Sequence, residues 1–255
     1  VCIAILLHDI GHGPFSHVLE NSIIHGVSHE FISARMMNQL NKDFNGKLSL
    51  AIKIFNNRYK KKFLHQLVSS QLDLDRMDFL KRDSFYSGVS EGIVSWERII
   101  IMLNVANGEL AIDAKGIYSV EKFIIARRLM YWQVYLHKTV LAAEMLLVNI
   151  LKRAKELAAP PSPVIRHSSS ERGMDCHAPK VGRGEVLFAT PAFHFFLYYN
   201  ITGKNFQKNS EVLEKFCELD DYDIFASVKA WTSHKDKILS TLCRDMISRN
   251  LSMTE

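Results

Sequence analysis

His8-Asp9-Ile10-Gly11-His12-Gly13-Pro14-Phe15-Ser16-His17 decides how this chain is read. Three imidazoles and one carboxylate fall within ten residues, broken by two glycines and a proline. The adjacent His8 and Asp9 offer a nitrogen and an oxygen ligand side by side. Such a pair suits a divalent ion of intermediate hardness, manganese, iron or zinc, with magnesium also admissible. The apolar run from Val1 to Leu7 predicts a buried helix that delivers His8 and Asp9 at its end. Gly11, Gly13 and Pro14 then predict sharp turns that let His12 and His17 point back at the same spot. Any one of these histidines can be explained by local hydrogen bonds. All four polar side chains together ask for more, because burying so many polar groups needs compensation.

Working outward, the remaining composition narrows the class. The chain has 255 residues, 47% of them hydrophobic, with a formal net charge of +5. That length supports one large core, or one core with an appendage. No run of eighteen or more apolar residues occurs, so neither a membrane span nor a signal peptide is expected. The chain opens with Val inside an apolar helix, which predicts an upstream segment. Cys2, Cys176, Cys217 and Cys243 are scattered without any CxxC pair, as expected for reduced thiols in a cytoplasmic protein. The modest positive charge favours phosphorylated ligands without implying nucleic acid.

Ser28 reads as an N-cap for a helix from His29 to Leu40, with Ile32, Met36 and Leu40 on one face. His29 and Glu30 then sit at the positive end of the helix dipole, a natural place to meet a phosphate. Asn45-Gly46 is a turn, and residues 48–57 form an amphipathic helix. Arg58, Lys60, Lys61 and Lys62 make a basic knot, read first as a solvated turn and second as a phosphate or nucleic-acid contact. In Gln71–Asp83, helical spacing puts Asp75, Asp78, Phe79 and Arg82 on one face. Arg98–Val105, Asn107-Gly108 and Glu109–Ile112 predict a β-hairpin. Residues 118–157 are helical with a break or bend, and Arg127, Tyr131, Tyr135 and Lys138 line one stripe of it. His137 is a weaker site candidate on the same helix.

Residues 159–184, rich in proline, serine and glycine, predict an exposed or disordered insertion. Within it, Asp175-Cys176-His177 lacks the partners a metal site needs. Thr190-Pro191 predicts a helix start, followed by an aromatic docking face at Phe193, Phe195, Phe196, Tyr198 and Tyr199. Helices near 210–218, 222–232 and 234–248 complete the chain. The predicted organisation is a core over 1–158, the insertion over 159–184, and a C-terminal helical region over 185–255 that packs on the core.

The frame LLHDIGHGPFSH resembles the HD-domain phosphohydrolases, and within them the deoxynucleoside triphosphate triphosphohydrolase branch. The similarity continues through HGVSHE (25–30), QLDLDRMDFLKRD (71–83) and RRLMYWQVYLHK (127–138), and so covers about residues 1–150. It implies an all-α helical bundle, here with a small β-hairpin and extra C-terminal helices. It implies Asp75 as the distant metal ligand beside His8 and Asp9, and a further histidine from an upstream segment. Arg76 and Arg127 match basic phosphate contacts. Phe79 stands where a tyrosine is often found, which removes one hydroxyl from the substrate's surroundings. Asp83 matches a position that binds the sugar 3′-hydroxyl. Tyr135 matches a tyrosine that packs on the deoxyribose and excludes a 2′-hydroxyl, and Tyr131 lies on its stripe.

The expected function is metal-dependent hydrolysis of a dNTP to a deoxynucleoside and inorganic triphosphate. His12, His17, His29 and Glu30 form the expected catalytic set, with His17 and His29 first for acid and phosphate roles. Arg76, Lys81 and Arg127 supply positive charge for the polyphosphate. The alternatives are another nucleotide phosphohydrolase of the HD type, or a low-turnover regulator that binds nucleotide or nucleic acid. The resemblance also implies a homo-oligomer and admits an allosteric nucleotide.

Overall fold

The computed structural model describes residues 1–24, 26–158 and 186–251. The predicted insertion at 159–184, its Asp175-Cys176-His177, and His25 lie outside the described residues. In chain order the helices are α1 (Cys2–Leu6), α2 (His17–Ser22), α3 (His29–Asp43), α4 (Ser49–Phe55), α5 (Phe63–Gln66), α6 (Leu74–Ser87) and α7 (Trp96–Met102). A hairpin of β1 (Leu103–Ala106) and β2 (Glu109–Ile112) follows. Then come α8 (Ile117–Met130), α9 (Lys138–Ala158), α10 (Pro191–Tyr198), α11 (Gly203–Lys208), α12 (Ser210–Cys217), α13 (Asp221–Trp231) and α14 (Lys237–Ser248). The fold is all-α with one small antiparallel ribbon, as expected. Among the described residues no single helix is long and apolar enough to cross a membrane.

The chain divides into two compact units. The first holds Val1–His12 and Ser28–Ala143; the second holds Gly13–Val27 and the described residues from 144 to 251.

In the first unit, Ala4, Met37, Ala51, Ile54 and Val68 join α1, α3, α4 and the end of α5 in one apolar cluster. A second cluster of Met77, Leu80, Ile99, Phe123, Ala126 and Met130 joins α6, α7 and α8. The predicted helix at residues 1–7 forms, but only Ala4 within it is buried and Leu6 is 76% exposed. The helix after Ser28 also forms; the Ser28 hydroxyl accepts from the Phe31 N–H. It runs three residues further than expected and buries Ile32, Ser33 and Met37 rather than Met36 and Leu40.

The hairpin corrects one expectation. Leu103–Ala106 pairs with Glu109–Ile112 in register, Leu103 opposite Ile112 and Ala106 opposite Glu109. Asn107 and Gly108, at φ 53° and 82°, form the left-handed turn that a two-residue hairpin requires. Arg98 to Met102, expected in the first strand, is instead helical. Its β-branched run suits a strand, yet a helix lets Ile99 alone turn inward onto Phe123 and Met130 while Ile101 faces solvent. The long predicted helix does break. After α8 the residues Tyr131–Tyr135 widen into a π-helical turn, closed by the Leu136 N–H donating to the Tyr131 carbonyl at 2.7 Å. Such a turn inside a helix marks a local constraint.

In the second unit the aromatic face of α10 docks inward. Phe193 and Phe196 are fully buried; Phe193 meets Trp231, and Phe196 meets Phe206 and Phe216. Thr190 precedes the helix, but its hydroxyl makes no cap and is buried without a hydrogen-bond partner. α11 was not anticipated; Thr202 and Asn205 close it with a capping box.

Candidate metal centre

α1 ends at Leu6, and the chain turns through residues 7–11, with the His12 N–H donating to the Asp9 carbonyl at 3.0 Å. This turn carries His8, Asp9 and His12. Gly11 brings it against the start of α3: its N–H donates to the Ser33 hydroxyl at 2.9 Å. A Cβ on Gly11 would lie 2.3 Å from both the His29 carbonyl oxygen and the Ser33 nitrogen. Close approach, rather than a left-handed turn, is what this glycine provides. The left-handed residues of the loop are Phe15 and Ser16, at φ 51° and 49°.

The His8 ring is set by its backbone. Nδ1 lies 2.6 Å from the Ile5 carbonyl oxygen and donates to it. This leaves the Nε2 lone pair aimed at two carboxylates, 3.2 Å from an Asp9 oxygen and 3.4 Å from an Asp75 oxygen. Nε2 is buried and has no hydrogen-bond partner. A neutral imidazole there presents an acceptor to two acceptors. A cation relieves the arrangement, whether a proton or a metal ion. Asp75 beside Nε2 accordingly pushes the His8 imidazole up to about 9, against the opposing effect of burial. His12, 3.6 Å away, holds Asp9 below the usual carboxylate range, with His8 and His29 adding to it. His8, Asp9 and Asp75 place their ligand atoms within 4.8 Å of one another, as do Asp9, His12 and His29. The donor set fits a divalent ion of intermediate hardness.

His29 opens α3 and stacks on His12, and its Nε2 lies 3.3 Å from Glu30. Asp75 stands in the first turn of α6, and Asp73 caps that helix by accepting from the Arg76 N–H at 2.8 Å. Asp73 is buried, and it also accepts from the Ser70 N–H and pairs with the Arg76 guanidinium. Sequence reading assigned Asp73 no role; its place as the residue just before the helix was the available signal. The same structure ties down Arg76, whose Nη1 also donates to the Ser70 carbonyl at 2.5 Å.

His8, Asp9, His29, Glu30, Asp73, Asp75 and Arg76 line a cleft of about 560 Å³, which also takes in Phe55, Asn56, Asn57 and His65. None of those four was anticipated. His65 repeats the His8 pattern, with Nδ1 against the Ile54 carbonyl at 3.0 Å.

The other expected substrate contacts form a connected row in the first unit. The Arg127 Nη1 donates to Gln71 at 2.8 Å, and its guanidinium lies over Tyr131 at 5.7 Å. Tyr131 meets Tyr135 edge to face at 5.2 Å, and the Tyr135 hydroxyl donates to Asp83 at 2.7 Å. Burial first, then Asp83, pushes the Tyr135 phenol up, so it stays protonated. Phe79 packs edge-on to Tyr135 at 5.8 Å. Lys81 goes elsewhere, over the Trp96 ring at 4.4 Å. His17 belongs to the second unit, where its Nδ1 lies 3.3 Å from Glu20.

With this geometry established, comparison with known proteins gives the class. Residues 1–83 match the HD domain, and residues 94–163 match the HD associated region. The chain therefore carries an HD domain followed by its associated region, and HD domains bind divalent metals. It is similar to the crystal structure of a phosphohydrolase from Bacteroides thetaiotaomicron, at 55% identity and a TM-score of 0.84, over 97% of this chain and 56% of that one. An uncharacterized Bacillus subtilis protein, YwfO, is 35% identical over 97% of this chain and 51% of its own length. A Dictyostelium discoideum protein named as a deoxynucleoside triphosphate triphosphohydrolase homologue is 27% identical over 61% of this chain and 34% of its own length. The chain spans about half the length of the curated relatives it matches along most of its own.

Proposed function

We propose that this chain carries the catalytic core of a metal-dependent phosphohydrolase that acts on dNTPs, releasing deoxynucleoside and inorganic triphosphate. The observation that carries the metal is the buried Nε2 of His8, held between the carboxylates of Asp9 and Asp75. These three residues would hold a divalent ion, with room for a further ligand. When bound, the ion supplies charge neutralisation at the phosphoryl group and a more acidic bound water.

The chain's own residues divide the remaining work. The His8 turn orients the ring through its Nδ1–H, so that Nε2 is the nitrogen that would face the ion once its proton is lost. His12 and His29, at the positive end of α3, bind and orient the phosphate chain and hold a proton for the leaving oxygen. Glu30 orients His29. Arg76, fixed by Asp73, and Arg127 add positive charge to a reaction that needs neutralisation and positioning more than covalent chemistry. Tyr135 packs on the sugar, and Asp83 accepts from its 3′-hydroxyl. The similarity to a named dNTP triphosphohydrolase homologue supports this substrate class.

The test is product identification. Each dNTP, and GTP, is incubated with the protein in magnesium, in manganese and in chelator, and products are weighed by mass spectrometry. Deoxynucleoside with intact triphosphate, lost in chelator and in Asp75→Asn, is the expected result. Orthophosphate from nucleoside monophosphates would assign the other phosphohydrolase reading, and wild-type turnover in Asp75→Asn would remove that ligand.

A further inference from the structure

The positive charge of this chain is concentrated in one stretch of its sequence. Residues 42–62 carry Lys42, Lys47, Lys53, Arg58, Lys60, Lys61 and Lys62 against a single acidic residue, Asp43. That segment has a net charge of +6, whereas the rest of the chain sums to −1. All seven basic residues are exposed. Among the described residues, only Lys62 approaches a carboxylate, Glu109 at 4.0 Å, and Lys42 instead donates to Gln39.

The segment is also ordered by its own contacts. The Asn41 side chain accepts from the Leu48 N–H at 2.8 Å and donates to Ser49 at 3.2 Å, which pins the turn between α3 and α4. Ala51 and Ile54 bury one side of α4, and Lys53 stands on the open side. The cations are therefore displayed on a fixed surface. Phe44, 53% exposed, lies between Lys42 and Lys47 in that turn. Asn56 and Asn57, just before Arg58, line the cleft of the metal centre.

We propose that residues 42–62 form a track for single-stranded nucleic acid that runs up to the mouth of this cleft. Unpaired cations on a fixed surface neutralise successive phosphates, and an exposed ring offers a face on which a base stacks. An exposed aromatic ring favours an unpaired strand over a duplex, whose bases are already stacked. The track is independent of the hydrolytic reading, because none of its cations belongs to the metal centre.

The test measures binding of a fluorescent 20-nucleotide single-stranded DNA, and of an RNA of the same sequence, to the full chain as salt is varied. The expected plot of log affinity against log salt has a slope near −3, as four or five phosphate contacts on a single strand require. The triple variant K47E/K53E/K61E should bind at least ~10-fold more weakly with a shallower slope. Phe44→Ala should lose about 10-fold with the slope unchanged, because stacking releases no counterions. Circular dichroism and melting of both variants check that they fold. Binding by the triple variant equal to wild type would overturn the proposal. So would retention on phosphatidylserine vesicles with no affinity for either oligonucleotide, which would make the track a membrane contact.

Discussion

His12 and His29 lie face to face, ring centroids 3.9 Å apart and planes 16° from parallel. One comes from the turn after α1 and the other from the first residue of α3, and they share Asp9 and Glu30 as charged neighbours. Groups that act as a unit fail together. His12→Ala and His29→Ala are each expected to lower kcat about 10²- to 10⁴-fold, and the double variant should be little worse than the weaker single. Multiplying losses in the double variant would show two separate roles.

The His8–Asp75 pair predicts how metal binding depends on pH. With Asp75 raising it to about 9, His8 keeps a proton at neutral pH until an ion displaces it. Metal affinity should rise about tenfold per pH unit from pH 7 to about 9 and level off above that. Calorimetry at pH 7.5 in two buffers of different ionisation enthalpy should find about one proton released per ion. The same shift lies above the ordinary value of 6.5, so it stabilises the metal-free fold fully below pH 6.5, and that contribution is lost as pH rises through about 9. Affinity that is flat with pH would take His8 out of the ligand set.

Tyr135 offers a test of sugar selection. Its hydroxyl is committed to Asp83 and its ring to Phe79 and Tyr131. Tyr135→Ala should open space beside the sugar and reduce the ratio of dGTP to GTP turnover at least ~10-fold, a size typical for losing one shape contact. Tyr135→Phe keeps the ring and should leave that ratio near wild type while changing KM. Equal discrimination in the alanine variant would place sugar selection elsewhere.

Stability in the second unit rests partly on Asp236. It caps α14 by accepting from the Leu239 N–H at 2.8 Å and holds Arg153 through Nη2 at 2.7 Å and Nε at 3.3 Å. Arg153 foremost, then that N–H, pull its carboxyl down to about 2. Asp236→Ala should lower Tm by about 2–4 °C, the scale of one lost cap in a chain of this size. Because the folded carboxyl is depressed, its contribution is present above pH 3.8 and lost as pH falls toward about 2. Wild-type and variant melting curves should therefore converge at the acid end.

Local signals carried much of this structure. Ser28 before an amphipathic run marked the start of α3, and Asn107-Gly108 marked the hairpin turn, because caps and left-handed turns are written in adjacent residues. Arg98–Met102 was misread because its β-branched residues speak for a strand while burial of Ile99 alone speaks for a helix. His8 and Asp9 were legible as neighbours in sequence. The length of the cleft was not, since Asn56 and His65 reach it from separate helices. The boundary between the two units, which falls between His12 and Gly13, has no mark in the sequence.

Position 11 works as a spacing gauge. The backbone of the His8 turn rests on the first turn of α3 with no room for even one methyl group between them. The distance from the turn that carries His8, Asp9 and His12 to His29 on α3 is thus set by the thickness of two bare peptide planes, a dimension that side-chain repacking cannot adjust. Any residue larger than glycine at position 11 would push the turn off α3 and part His12 from His29.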